Sequence, residues 1–293
     1  MSQATLSLSS VMPTLRRRAT PPPAVPRLVS DDFASLPVIE IGGAPVHLVD
    51  ERVARRVIAE ATRRPLRKPL AVSSINLDHI HHFAGGTDSF RSDGSVRWLN
   101  LIDGAPIAHQ AQRMTGVAYP RLAGSDIVTS VLTDLAAADL SVGVVGGMPE
   151  VAEPLRQRLA DGWPGLRFAG HWSPSREELN DPEACRRLCD EIRATGVNVL
   201  LVCLGKPRQE RWISAYGAQT GADALLAFGA VVDFLAGRVS RAPEWVSNAG
   251  VEWAYRLMLE PRRLARRYLI QGPPAYLAVR RSQAQPIRAL TPA

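Results

Sequence analysis

The sequence predicts an α/β protein, a mostly parallel sheet with helices on both faces, followed by a basic helical appendage. Three observations carry this. Apolar runs of strand length alternate with amphipathic helical stretches through most of the chain, and parallel strands need such crossovers to be neighbours. Runs such as Val197 to Leu204 are apolar throughout, as strands covered on both faces require. After Gly237 the alternation stops, and arginines appear among aromatic and aliphatic residues with few acids to balance them.

At 293 residues, 46% hydrophobic and 22% charged, the chain has the composition of an ordinary soluble protein with a full-sized core. A formal net charge of +7 suggests a polyanionic neighbour without choosing among nucleic acid, anionic lipid and a phosphorylated substrate. Three cysteines are too few for a disulfide framework, so a reducing cytoplasmic setting is expected. The longest apolar run, Ala224 to Ala236, is broken by Gly229 and Asp233 and is too short to span a bilayer. Arg16 to Arg18 lead into prolines, unlike a secretion signal.

Residues 1–36, rich in Ser, Thr, Pro and Arg, read as a disordered tail. Strands are expected at Val38 to Ile41 and Val46 to Leu48, then a helix capped by Asp50 with Val53, Val57, Ile58 and Ala61 on one face. Leu70 to Ile75 is a strand that ends in Asn76 and passes to a helix, Leu77 to Phe83. His79, His81 and His82 on that helix invite a metal reading, yet only His79 with His82 has ligand spacing and no Cys or Glu nearby completes a shell. Ser95 to Ile102 is the next strand. It ends in Asp103-Gly104-Ala105-Pro106, and Asp103 is there either a catalytic carboxylate or a plain turn aspartate.

A helix follows over Ile127 to Ala138, then a strand, Leu140 to Val145. That strand breaks into Gly146-Gly147-Met148-Pro149, where backbone N–H groups can approach a diphosphate, although neither a dinucleotide fingerprint nor a Walker loop is present. Leu166 to Trp172 is a strand and Glu178 to Thr195 a helix. Val197 to Leu204 then turns at Gly205 into a helix with Pro207 in its first turn, bringing Lys206, Arg208 and Gln209 to the strand end, either as an anion site or as a solvated loop. Ala224 to Val231 is the last strand, with Asp233 just beyond it. Asp103, Gly146-Gly147, Lys206 to Gln209 and Asp233 would then face one edge of a Rossmann-like sheet. The expected organisation is a tail over 1–36, a catalytic α/β domain over 37–237, a helical membrane-associating appendage over 238–285, and disorder over 286–293.

The appendage is expected to form two helices, Gly250 to Leu259 and Arg262 to Ile270, amphipathic and Arg-rich as suits an anionic membrane surface. Nucleic-acid binding is its rival. A chain ended after Gly237 is expected to fold as an inactive core.

With these residues assembled, the chain resembles the WecG/TagA/CpsF family of bacterial glycosyltransferases over about residues 38–272. The stretches that carry the resemblance are Ser74-Ile75-Asn76, Asp103-Gly104, Gly124-Ser125-Asp126, Gly146-Gly147-Met148-Pro149, the run Gly205 to Trp212, and RAPEW at 241–245 with VEWAYRLMLEPRRLARRYL after it. The family commonly has Thr where this chain has Ser74, which keeps the hydroxyl. The resemblance implies an inverting transfer of a sugar, typically an N-acetylhexosamine such as N-acetylmannosamine, from a UDP-sugar to a polyprenyl-diphosphate-linked acceptor. That places the enzyme peripherally on the cytoplasmic face of the membrane, in the synthesis of teichoic acid linkage units, capsules or exopolysaccharides.

No metal cofactor and no nucleic-acid partner are implied, and homo-oligomerisation is compatible with the sequence. By the same resemblance Asp103 is the catalytic base and Gln209 contacts substrate. Ser74, Asn76, Arg121, Gly124, Asp126, Gly146, Gly147, Lys206 and Asp233 line the substrate site, while Arg256, Arg263 and Arg266 of the appendage complete it. An NAD-dependent nucleotide-sugar dehydrogenase or epimerase, which would need a Gly-x-Gly-x-x-Gly turn, and a noncatalytic basic binder are the alternatives.

Overall fold

The computed structural model describes residues 33–63, 67–83, 94–238, 257–258, 261–283 and 288–289. Its centre is a six-stranded, all-parallel sheet of β3 (Leu70–Ile75), β4 (Arg97–Ile102), β5 (Ser141–Gly146), β6 (Arg167–Trp172), β7 (Val199–Cys203) and β8 (Ala224–Ala227). The spatial order is β4-β3-β8-β7-β5-β6. One half of the chain winds outward from β3 to β4 and the other from β5 to β6, with β7 and β8 filling the middle. Because all six strands run the same way, all six carboxyl ends share one edge, where open α/β sheets take their ligands.

Alternation along the strands builds two core layers. Leu70, Val72, Leu99, Leu101, Val142, Val144, Leu201 and Leu226 face one side. There they meet α1 (Glu51–Arg63), α4 (Gly124–Ala137), α5 (Ala152–Gly162) and α9 (Val231–Leu235). Ala71, Ile75, Trp98, Ile102, Leu200, Val202 and Leu225 face the other. That side is covered by α2 (Leu77–Phe83), α3 (Ala105–Thr115), α7 (Pro182–Ala194), α8 (Arg208–Tyr216) and a hairpin of β1 (Pro37–Ile41) and β2 (Ala44–His47). The hairpin turn is Gly42-Gly43 alone, and Ala44 and Pro45 belong to β2.

Several boundaries differ from expectation, among them the start of α4, at Gly124 and not Ile127, and two of the differences have clear local reasons. The helix read over Glu178 to Thr195 is two helices, α6 (Arg176–Asn180) and α7, because Ser175 and Glu178 close a capping box and Asp181 caps Pro182 onward as a fresh helix start. β8 stops at Ala227, and Asp233 lies inside α9 rather than in a loop beyond a longer strand. At the N-terminal end, Phe33–Ser35 form a short 3-10 turn and Leu36 is fully buried, so the ordered body begins a few residues before 37. Residues 1–32 lie outside the described residues.

The largest correction concerns the C-terminal element. α10 (Pro261–Ala265) continues through a π-helical turn, Arg266–Gln271, into α11 (Gly272–Arg281). α11 packs on α2 and α3 and sinks Ala275 and Val279 into the second core layer. Ser282 accepts a hydrogen bond from the Gly42 N–H at 2.7 Å, and its carbonyl accepts one from Gln110 at 2.7 Å. Arg288–Ala289, expected to be disordered, form β9 and pair antiparallel with β1. The element is thus built into the body rather than hung from it. The expected helix over 250–259 lies outside the described residues, except that 257–258 are helical.

His47 ties the hairpin to the sheet by accepting the Asn100 N–H at 3.0 Å, and burial lowers its pKa to about 4. An unfolded histidine titrates near 6.5. Between these values the unfolded chain binds the extra proton, so stability rises with pH there and is lost as pH falls from 6.5 toward 4. The loss expected from His47 is about 3 kcal/mol, read as a falling urea midpoint. Replacing His47 with Gln should flatten that dependence.

Candidate active site

At the shared edge, β3 ends in Asn76 and β4 in Asp103, and the Asp103 N–H bonds to the Ile75 carbonyl at 2.9 Å, which fixes the two loops side by side. The Asn76 side-chain oxygen accepts the Asp78 N–H at 3.2 Å, so the amide presents its NH₂ to Asp103 Oδ2 at 2.8 Å. Asp103 Oδ1 has no hydrogen-bond partner among the described residues. Gly104, with φ of 80°, turns the chain into α3, leaving Asp103 half-exposed beside the helix start rather than capping it. The turn-aspartate reading therefore fails as a cap, since no side-chain bond closes that helix end.

The β7–α8 junction supplies the cation. Lys206 is partly buried, and Pro207, joined to it by a cis peptide, precedes the helix rather than occupying its first turn. Burial, then Arg267, pull the Lys206 pKa down to about 8 against the opposing pull of Asp103, Glu210 and Asp78. Asp103, Asp78, Glu210 and Arg267 are therefore electrostatic neighbours of one ammonium group. Arg208 is exposed.

The β5 turn sits beside this junction. A Cβ at Gly146 would lie 2.5 Å from the Cys203 carbonyl oxygen, and the backbone there has φ of 101°, so only glycine lets β5 exit against β7. Gly147, at φ of 84°, abuts Val232 of α9. Asp233 on the same helix is half-exposed and near enough to Cys203 to oppose its ionisation, although burial is the main reason that thiol's pKa is pushed up to about 12.

Other expected site residues are differently placed. Ser74 is buried and donates to the Leu122 carbonyl at 3.0 Å, so its hydroxyl braces the loop before α4. Gly124 is required by the Phe228 ring, which a Cβ would meet at 2.5 Å. Arg121 and Asp126 flank it and are exposed. Gln209 is not at the surface: its side chain is fully buried, donating to Glu210 Oε1 at 2.8 Å and to the Ala227 carbonyl at 2.9 Å. Its Oε1 is an unpartnered buried acceptor among the described residues, facing Gly229. Arg266 is exposed, and its neighbour Arg267 is the one that reaches the site, 3.4 Å from Asp78 Oδ2. Arg256 and the Arg263 side chain lie outside the described residues.

His79 and Glu210 were not among the expected site residues, and both are fully buried at 0% exposure. His79 Nε2 lies 3.1 Å from Glu210 Oε1 and 3.1 Å from Ser73 Oγ, while Nδ1 accepts the Asn76 N–H at 3.3 Å. His82 is 3.6 Å from Asp78 rather than from a metal partner of His79. Among the described residues no set of three or more His, Cys, Asp or Glu gathers as a metal site.

A carboxylate, an amide, an ammonium group and two glycine turns thus meet the carboxyl edge of one parallel sheet. The model of the Glycosyl transferase WecG/TagA/CpsF family matches residues 39–289. The chain belongs to this family. As a WecG/TagA/CpsF member it is a glycosyltransferase of the hexosyltransferase kind, which takes a nucleotide-sugar donor and an acceptor. The match extends past 272, where the sequence resemblance stopped, to the β9 pairing, in keeping with α11 being part of the body. Among the described residues of this family member, no helix is long and apolar enough to cross a membrane.

Proposed function

We propose that the enzyme transfers a hexose, an N-acetylhexosamine by preference, from a UDP-sugar to a polyprenyl-diphosphate-linked acceptor with inversion. The observation that carries the reading is the Asn76–Asp103 pair: an oriented amide holds one carboxylate oxygen and leaves the other without a hydrogen-bond partner among the described residues. In the step proposed, Asp103 Oδ1 takes the acceptor hydroxyl proton as that oxygen bonds to the anomeric carbon. The bond from that carbon to the diphosphate breaks on the opposite face, and UDP departs with the electron pair. Lys206 and the Gly146-Gly147 backbone meet the charge gathering on the diphosphate, the kind of preorganised donor set that lowers such barriers. Asp233 is assigned to the ribose hydroxyls.

Buried Gln209 acts through Glu210 and Ala227 in this reading, not by touching the sugar. Exposed Leu269, Ile270, Tyr276 and Leu277 stand among exposed Arg262, Arg266, Arg280 and Arg281, which supports peripheral docking on the anionic inner face of the membrane. The charge balance proposed uses Lys206 and Arg267 in the place of a metal ion.

The test is a survey of radiolabelled UDP-sugars against a short-chain lipid-diphosphate acceptor, scored for product anomer. Transfer with inversion is expected, and retention or a preference for a water-soluble acceptor would overturn the reading. The same assay checks Lys206. Its cation is lost as pH rises through about 8, so the donor KM should climb above that pH, and Lys206→Ala should show a high KM that no longer changes there. On the stability side the sign is opposite to that of a favourable pair. From about 8 to the ordinary lysine range the unfolded chain binds more protons, so stability rises with pH.

A further inference from the structure

We propose that His79 and Glu210 form a positioning pair that holds Asn76, and through it the Asp103 carboxylate, at the angle the transfer step requires. The proposal rests on the reading of Asp103 as base. Four parts of the fold meet at His79: Ser73 of β3, Asn76 in the turn after it, α2 that carries the ring, and Glu210 of α8. The tautomer follows from the partners. Nδ1 lies 3.3 Å from both the Asn76 N–H and the Asn76 side-chain oxygen and does not decide the matter, whereas Nε2 faces the Glu210 carboxylate at 3.1 Å, a contact that only an Nε2–H can satisfy. The opposite tautomer would set an unprotonated Nε2 against the carboxylate. Burial, then the Lys206 charge, keep the ring below its ordinary pKa, and the neutral form is the one these contacts need.

Glu210 has no exposure, yet its carboxyl is held below the usual carboxylate range: burial opposes the charge, and the His79 and Gln209 hydrogen bonds together with the Lys206 ammonium outweigh it. Its Oε2 is buried without a hydrogen-bond partner among the described residues. Such a group is a poor way to gain stability, since an apolar pair of similar volume usually does as well or better. What it supplies here is direction. The ring accepts the Asn76 backbone N–H while Asp78 N–H holds the Asn76 side-chain oxygen, so the NH₂ can point only at Asp103. Among the described residues, the charged groups facing the ring are Glu210, Lys206 and Asp78, with Ser73 and Asn76 as uncharged partners.

The kinetic test compares His79→Ala with His79→Gln, whose amide can replace the N–H toward Glu210. His79→Ala should lower kcat about 10- to 100-fold, the cost of a small misplacement of a reacting group, with donor KM within about twofold. His79→Gln should recover most of that loss. An independent readout on the wild-type enzyme is a long-range ¹H–¹⁵N spectrum of the histidine rings, which should show His79 neutral with its proton on Nε2. Wild-type kcat in His79→Ala, an equal loss in both variants, a loss confined to KM, or a protonated or Nδ1–H ring would each overturn the proposal. Should His79→Ala fail to fold, His79→Gln and the wild-type spectrum decide it. Failure of the underlying base reading is distinct: it appears as wild-type turnover in Asp103→Asn, whatever His79 does.

Discussion

Replacing Asp103 with asparagine is expected to lower the rate of sugar transfer by about 100- to 10,000-fold, the range a positioned general base supplies, while UDP affinity changes by no more than about twofold. The asparagine is nearly isosteric and can still accept from Asn76 Nδ2, so the loop between β4 and α3 should keep its shape and the loss should fall on kcat. Single-turnover rates with radiolabelled donor separate this from slow product release. A donor-binding defect as large as the rate defect would move Asp103 out of the base role and into donor recognition.

The second large effect concerns the C-terminal element. A chain ended after Gly237 was expected to fold as an inactive core, and the packing of α11 argues otherwise. Removing it uncovers the sites of Leu264, Ala275 and Val279, at 3%, 3% and 0% exposure, and strips the Ser282 bonds and the β9 pairing from the hairpin. Burying a leucine or valine side chain such as Leu264 or Val279 contributes about 1.5–3 kcal/mol, against a typical domain stability of about 5–15 kcal/mol. The truncated chain should therefore unfold at a markedly lower urea concentration. Val279→Ala alone should cost on the order of 2 kcal/mol. A truncated chain with the full-length urea midpoint would contradict this packing account and restore a separable appendage.

Much of the fold was legible because local signals agreed with tertiary demands. Leu70 to Ile75 and Leu77 to Phe83 appear in the structure with the expected bounds, since an apolar run and an apolar helical face leave little choice. The glycine pair after β5 and the aspartate after β4 were readable as strand-end residues, and parallel topology was enough to bring them to one edge. The long helix was misjudged although Ser175, Glu178, Asp181 and Pro182 mark its break, because amphipathic periodicity runs on across a one-residue interruption.

The candidate site was less legible wherever burial decides a residue's role. Gln209 and Lys206 look alike in sequence, two polar residues at a turn, yet one is sealed beneath Gly229 and the other feels the charge of Asp103. The pairing of His79 with Glu210 joins residues 131 positions apart, and no local pattern announces it. Choosing Arg266 over Arg267 has a different cause. Arg266 comes from the resemblance and not from a helical count, and in the π-helical turn over Arg266–Gln271 it is Arg267 that pairs with Asp78.

The central claim is that donor and base meet at the carboxyl edge of the six-stranded sheet, and a crystal structure of the enzyme with bound UDP tests it most directly. The diphosphate should lie against Lys206 and the Gly146-Gly147 backbone, with Asp103 Oδ1 facing the vacant sugar position. UDP bound elsewhere, for instance in the arginine-lined cleft of Arg113, Arg280 and Arg281 between α3 and α11, would contradict it.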